Sequence, residues 1–269
     1  MSPGSRYDRR VSSPPPIASR NGRRTLIVIP TYDEVETAPP LVRTLVESYP
    51  TIEVVVVDDG SPDGTADAID ALVAEGLPVH VLRRSGKQGI GSAYLAGFRF
   101  GLDRGFDHMF TMDGDQSHDP RDLGAMLEAL ESHGMVIGSR YIPGGGVSNW
   151  PFYRRWLSRT ANWYTRTLLN LPYRDCTSGY RGYQREALET IDVFALRASG
   201  YSFLEQIVWR VDSAGFSIVE VPILFTDRQA GTSKIATSEI FKAAWDVTAN
   251  SQKRRRSLAA NRRTERHGD

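Results

Sequence analysis

The sequence predicts an α/β fold, a doubly wound and mostly parallel sheet with helices on both faces. Three observations carry this. Strand-length apolar runs alternate with segments of helical periodicity from Thr25 to Gly138, the pattern that builds such sheets. Four consecutive valines, Val54-Val55-Val56-Val57, make a strand that is apolar on both sides and therefore needs cover on both faces. Acidic residues follow three of these runs, on the carboxyl rim where sheets of this class bind ligands.

The elements follow in order. Thr25-Leu26-Ile27-Val28-Ile29 is a strand that should stop at Pro30, because a central strand cannot give up a ladder donor. A loop, Thr31-Tyr32-Asp33-Glu34, leads to a helix with Leu41, Val42, Leu45 and Val46 at helical spacing. Glu53 to Val57 is the second strand, and Asp58-Asp59-Gly60-Ser61 ends it. Asp63-Gly64-Thr65 turns into a helix with Ala66, Ile69, Leu72 and Val73 on one face, and Asp63 is placed to cap it. Val79 to Leu82 is the third strand. The glycine-rich turn Gly86 to Gly91 lacks the Lys-Ser/Thr pair of a phosphate-binding P-loop. It leads to a helix through Tyr94, Leu95, Phe98 and Phe100. Met109 to Met112 is the fourth strand. Asp119-Pro120 then gives an N-cap with proline at the first helical position, before Leu123, Met126, Leu127 and Leu130. Met135 to Gly138 is the fifth strand. Beyond it, Trp150–Leu169, Glu186–Ile191 and Phe203–Val211 read as helices, and Ser217 to Phe225 as an edge strand broken at Pro222.

Length and composition bound the function. The 269 residues suffice for one large core. A net charge of +1 excludes a protein-wide basic field, although both termini are rich in arginine. A lone cysteine, Cys176, rules out an internal disulfide framework and fits a reducing compartment. No apolar run reaches membrane-spanning length, and the start lacks the apolar core of a secretory signal. The expected setting is cytoplasmic, soluble or peripheral on a membrane. Residues 1 to 23, rich in Pro, Ser and Arg, are expected to be disordered. Residues 24 to 233 are expected to form the main folded domain, 234 to 250 an amphipathic helix, and 251 to 269 a basic disordered tail. The apolar stripe of that helix (Ile240, Phe241, Ala244, Trp245, Val247) suits either a membrane interface or packing on the domain. No base-stacking platform or reading helix accompanies the basic runs, so nucleic acid is not an expected partner.

The central chemical feature is Met112-Asp113-Gly114-Asp115-Gln116. Two carboxylates one residue apart repel unless a cation lies between them. Carboxylate oxygens suit a hard divalent ion, Mg²⁺ or Mn²⁺, which keeps positions open for substrate phosphates. Taken alone, the motif is also compatible with a solvated turn. Its place beside Asp33-Glu34 and Asp58-Asp59 argues for a shared site. The glycine should let the chain turn there. In the helix from Trp150, Arg154 and Ser158 are four residues apart and share a face, either an ordinary surface face or a phosphate site. Asp227 to Lys234 is a polar loop with two cations, either a connector or a closing loop. Cys176 reads as core or loop filler.

Three stretches, Val28-Ile29-Pro30-Thr31-Tyr32-Asp33-Glu34, Val57-Asp58-Asp59-Gly60-Ser61-Pro62-Asp63-Gly64-Thr65 and Met112-Asp113-Gly114-Asp115, resemble the signatures of family 2 glycosyltransferases with the GT-A fold. Gly138-Ser139-Arg140-Tyr141, Ser178-Gly179-Tyr180-Arg181 and Arg228 to Lys234 narrow the resemblance to dolichol-phosphate (polyprenol-phosphate) mannose synthases. The resemblance covers roughly residues 24 to 245, with the six motifs in the right order.

The resemblance implies a metal-dependent, inverting transfer of mannose from GDP-mannose to a polyprenyl monophosphate. It implies that Pro30, Tyr32, Glu34, Val57 and Asp59 frame the nucleotide. Asp113 and Asp115 would hold the metal on the diphosphate, with Gly114 lining the nucleotide. Ser117 stands where some relatives carry a third, glutamine ligand. Gly114 stands where alanine is common, a change expected to add only backbone freedom. Arg228 and Lys234 would meet the diphosphate, and with Asp115 they are the expected catalytic residues. Arg140, Arg154 and Ser158 would bind the acceptor phosphate. Many relatives have C-terminal membrane spans or a small membrane-protein partner, whereas this chain resembles the compact peripheral type. The alternatives are another donor such as UDP-glucose, another acceptor, or a non-catalytic nucleotide-sugar-binding subunit.

Overall fold

A computed structural model describes residues 22–196 and 202–226. Arg228, Lys234, the helix expected over 234 to 250, the tail, and all but the last two residues of the N-terminal segment lie outside the described residues.

Seven of the described strands make one sheet. β1 (Thr25–Thr31), β2 (Ile52–Asp58), β3 (Val79–Arg83) and β4 (His108–Thr111) run parallel, joined by α1 (Ala38–Ser48), α2 (Thr65–Ala74) and α3 (Ile90–Asp103). A 3₁₀ turn at Pro120–Asp122 and α4 (Leu123–Leu130) lead to β5 (Met135–Ser139). Beyond it lie β6 (Gly146–Ser148), α5 (Phe152–Leu169), β7 (Arg181–Gln184), α6 (Arg185–Thr190), α7 (Ser202–Ser213), β8 (Ile218–Pro222) and β9 (Leu224–Thr226). The sheet order is β3-β2-β1-β4-β7-β5-β8, and β6 pairs separately with β9.

Both sheet faces are dry. Ile27, Ile29, Val54 and Val56 pack with Leu41, Leu45, Ile69 and Met126 from α1, α2 and α4. Leu26, Val28, Val55 and Val57 face the other way, onto Tyr94, Phe98, Leu204 and Ile207 from α3 and α7. Side chains alternate across a strand, so the valine run feeds two separate cores.

Three expectations are corrected. First, β1 is central and yet runs through Pro30, which pairs with Val57. The Val28 carbonyl accepts from Met112 N at 3.1 Å on the β4 side. Pro30, two residues on, turns its nitrogen to that same side, where pairing with β4 has already ended at Val28–Thr111. No ladder bond is lost. Second, β7 was not anticipated as a strand. It lies antiparallel between β4 and β5, and its Gly182 leaves room for the Phe110 ring, whose Cε1 would be 2.4 Å from an added Cβ. Third, the run from Ser217 to Phe225 is two strands. β8 is the sheet edge, as Pro222 indicated, and β9 leaves to pair with β6.

Candidate active site

The ends of β1, β2 and β4 meet on one rim. Thr31 Oγ1 donates to Asp58 Oδ1 at 3.0 Å, and Ser61 donates to Asp58 through N (2.9 Å) and Oγ (2.5 Å). Asp58 therefore braces the rim. Asp59, expected in the nucleotide pocket, forms a buried ion pair with Arg84 (Oδ1–Nη1 2.9 Å) and accepts from Gln88 N at 3.1 Å. Arg84 in turn reaches Ser92 Oγ of α3 at 2.7 Å. This ties the glycine-rich turn to β2. Lys87, in that turn, lies over the Tyr32 ring at 4.7 Å, close enough for a cation–π contact. The N-cap of α2 is Gly64, without a side-chain cap, and Asp63 just before it accepts from Thr65 N at 3.0 Å and from Val35 N at 3.0 Å. Pro30, Tyr32 and Glu34 are half-buried, and Val57 is buried.

Beyond Thr111 the chain turns through Asp113 to Ser117. The left-handed residue is Gln116 (φ 61°), not Gly114, and Gln116 Nε2 donates to Thr37 O at 3.0 Å. Gly114 is needed for space instead. A Cβ there would lie 2.4 Å from Glu34 Oε2, so alanine requires the Glu34 carboxylate to turn aside. Asp113 is half-buried. Its Oδ1 accepts from Tyr94 OH at 3.2 Å, and its Oδ2 lies 3.3 Å from His118 Nε2. Gly179, at the start of the turn into β7, presses on Asp113, since a Cβ there would be 3.2 Å from Oδ1. Asp115 is buried and accepts from Ser117 N at 3.0 Å. The Ser117 hydroxyl is buried with no hydrogen-bond partner among the described residues. The carboxylates of Asp113 and Asp115 and the Ser117 hydroxyl are oxygen donors of the kind a hard divalent ion takes. Among the described residues no three His, Cys, Asp or Glu side chains converge on a common point. Such an ion would therefore depend on substrate oxygens to complete its shell.

The third cluster lies where β5 leaves the sheet. Arg140 is buried, and its guanidinium forks onto Asp175 (Nε–Oδ2 2.7 Å, Nη2–Oδ1 2.8 Å) and reaches Thr177 Oγ1 at 2.8 Å. Burial pushes the Asp175 carboxyl up, but the charge and hydrogen bonds of Arg140 outweigh this and hold it below its ordinary value. The planar fork expected to meet a phosphate is thus largely committed to the fold. Arg154 and Ser158 do lie along one side of α5. The Arg154 guanidinium stacks over Trp150 at 4.4 Å, and Tyr141 OH donates to Ser158 Oγ at 2.8 Å. The Phe225 ring bridges the clusters, 5.2 Å from His118 and 5.6 Å from the Arg140 guanidinium.

Residues 26–192 match the family described as Glycosyl transferase family 2. The chain belongs to glycosyltransferase family 2. It is 47% identical to a polyprenol monophosphomannose synthase from Mycolicibacterium smegmatis, over 86% of this chain and 88% of that protein. It is 44% identical to an undecaprenyl-phosphate mannosyltransferase from Micrococcus luteus, over 84% of this chain and 93% of that one. The fold is that of glucosyl-3-phosphoglycerate synthase from Mycobacterium tuberculosis, solved with Mn²⁺, UDP and glucosyl-3-phosphoglycerate. The TM-score is 0.59 at 18% identity, covering 85% of this chain and 78% of that one.

Several site-shaping roles in this glycosyltransferase escape sequence reasoning. Asp175 and Arg84 become visible only through their ion pairs. Arg181 is fully buried and donates to three carbonyls, Cys176 O at 2.5 Å, Ser178 O at 2.6 Å and Leu204 O at 2.6 Å, which fixes the turn that backs Asp113. His118 had a signal, since it directly follows Ser117. Cys176 is filler as expected, with burial pushing its thiol up to about 12.

Proposed function

We propose that this glycosyltransferase moves mannose from GDP-mannose to a polyprenyl monophosphate, with inversion, on the cytoplasmic face of a membrane. The observation that carries the reading is the adjacency, across Phe225, of an acidic sheet rim and the Arg140 and Trp150 side chains that precede the arginine-bearing, aromatic helix α5. The relatives named for mannosyl transfer to polyprenol and undecaprenyl phosphate support the same donor sugar and acceptor class.

In this reading Pro30, Tyr32, Glu34, Val57 and Asp59 frame the base and ribose, with Asp59 oriented by Arg84. Asp113, Asp115 and Ser117 hold Mg²⁺ or Mn²⁺, and Gly114 leaves room for Glu34. A divalent ion bound there supplies Lewis-acid neutralisation of the departing diphosphate. Arg228 and Lys234 add fixed positive charge on the same leaving group. Arg154 and Ser158 receive the acceptor phosphate beside Arg140, whose guanidinium is braced by Asp175. The nucleophile is a phosphate oxygen already ionised at neutral pH, so no strong general base is required. A single in-line displacement inverts the anomeric carbon.

The outer face of α5 supplies a membrane contact. Phe152, Tyr153, Trp156 and Trp163 are 82%, 70%, 62% and 64% exposed, and the helix contains no acidic residue. No described helix is long and apolar enough to cross a membrane, so the reading is of a protein lying on the bilayer.

The test is transfer of radiolabelled sugar into organic-extractable lipid, offered GDP-mannose or UDP-glucose with polyprenyl phosphate, with and without divalent ion. Label from GDP-mannose alone, and only with metal, is expected. Label from UDP-glucose would overturn the donor. Asp115→Ala should remove turnover by at least ~10²-fold while leaving the thermal transition in place. Near-normal turnover in that variant would overturn the metal assignment.

A further inference from the structure

We propose that the arginine-lined cavity beside α5 binds the phosphodiester headgroup of an anionic membrane phospholipid, a molecule that is neither donor nor acceptor and that fixes how the protein lies on the bilayer; this rests on the membrane contact read for α5. The cavity is about 440 Å³, and its walls include Arg159, Asn162, Trp163, Arg166 and Arg174. Among the described residues no carboxylate lines it. Arg140, also on the wall, is already paired with Asp175.

The sequence of α5 sets the cavity beside a lipid-facing stripe. Phe152, Trp156, Arg159, Trp163 and Arg166 follow one another at alternating spacings of four and three residues, so they share a face. The helix buries a different face, through Asn162, Thr165 and Leu169. Aromatic rings interleaved with arginines suit the boundary between headgroups and acyl chains. Trp163 belongs to this exposed stripe and also lines the cavity, so the cavity opens where the helix would meet lipid.

The polar groups divide into committed and available ones. Asn162 is spent on the fold, donating to Ser158 O at 3.2 Å and Thr177 Oγ1 at 2.9 Å and accepting from Cys176 N at 2.9 Å. Arg166 Nε, by contrast, is buried with no hydrogen-bond partner among the described residues. A buried donor left unpaired is unfavourable, and an anion in the cavity would satisfy it. Arg159 and Arg174 are exposed, and the Arg159 guanidinium lies 6.0 Å from the Tyr141 ring, at the outer limit of a cation–π contact. Guanidinium forks bind phosphate oxygens in pairs, and at headgroup depth the abundant phosphates are those of the bilayer itself. The cavity shares Trp163 and Arg166 with a hollow of about 550 Å³ that also touches Leu171 and Pro172, which gives room for the glycerol part of the lipid.

The experiment uses the full chain with neither donor nor acceptor present. Titration with dihexanoyl-phosphatidylglycerol below its micelle concentration, read by ³¹P NMR line broadening, is expected to show saturable binding that dihexanoyl-phosphatidylcholine does not reproduce. Arg159→Gln and Arg174→Gln should each weaken that binding about fivefold. Arg155→Gln, which removes an exposed arginine of α5 outside the cavity walls, should change it less than about twofold. Equal losses in all three variants would mean diffuse attraction and overturn the site. Equal binding of phosphatidylcholine, or competition by inorganic phosphate at matching concentration, would overturn the headgroup assignment. A raised KM for a short-chain prenyl phosphate in neutral detergent, with phosphatidylglycerol binding unchanged, would give the cavity to the acceptor instead. Failure of the wild type to sediment with vesicles of phosphatidylcholine, with or without phosphatidylglycerol, would sink the membrane reading itself, while the titration with soluble lipid would still report on the cavity.

Discussion

Asp122 shows what tertiary context does to a single carboxyl. Burial first, and then the neighbouring Asp119, raise it from its ordinary value to about 6. The folded chain therefore holds this proton more tightly than the unfolded chain does. Its contribution is fully present below about pH 4 and is lost as the pH rises through about 6. Asp122→Asn should remove that penalty and keep an acceptor for Leu224 N, which donates to Asp122 at 3.3 Å. The variant is expected to be more stable than the wild type by about 1 kcal/mol near pH 8, after allowing for solvent screening, and equal to it near pH 4. Urea unfolding at the two pH values measures this, and a less stable variant near pH 8 would contradict it. Residue chemistry was legible in part. The Asp113/Asp115 pair stood out by spacing, whereas the role of Gly114 did not, because Glu34 is distant in sequence and only folding brings its carboxylate to that glycine.

At the scale of the element, α3 lies against β1 through a glycine. A Cβ at Gly97 would be 2.2 Å from Val28 Cγ1, and one at Gly101 would be 2.9 Å from Met109 Sδ. Helix propensity favours alanine at both positions, but the contact to a buried strand decides. Gly97→Ala is expected to destabilise the fold by about 1–3 kcal/mol through overpacking, visible as a lower denaturant midpoint. A midpoint at or above that of the wild type would show that the α3–β1 spacing yields freely. Most elements were readable from periodicity, α1 to α4 especially, since each lays one apolar stripe on the sheet. β7 was not, because Arg181-Gly182-Tyr183-Gln184 has no apolar alternation, and its strand character comes from lying between β4 and β5.

At the scale of the whole molecule, the proposed membrane contact rests on the exposed aromatic side chains of α5. Trp156→Ala with Trp163→Ala should weaken binding to anionic vesicles roughly tenfold, most clearly at high salt, where charge attraction is screened. Vesicle co-sedimentation at two salt concentrations reads this, and unchanged binding at high salt would remove α5 from the interface. By itself the sequence determined the layered α/β fold, the family and the three acidic strand ends, because local periodicity and short motifs encode backbone direction and chemistry directly. Only the tertiary structure decided which charges are already neutralised inside the protein. Arg140 pairs with Asp175 and Asp59 with Arg84 across 35 and 25 residues of chain. Such pairings are set by packing rather than by spacing along the chain. They determine which arginines are left to meet a phosphate.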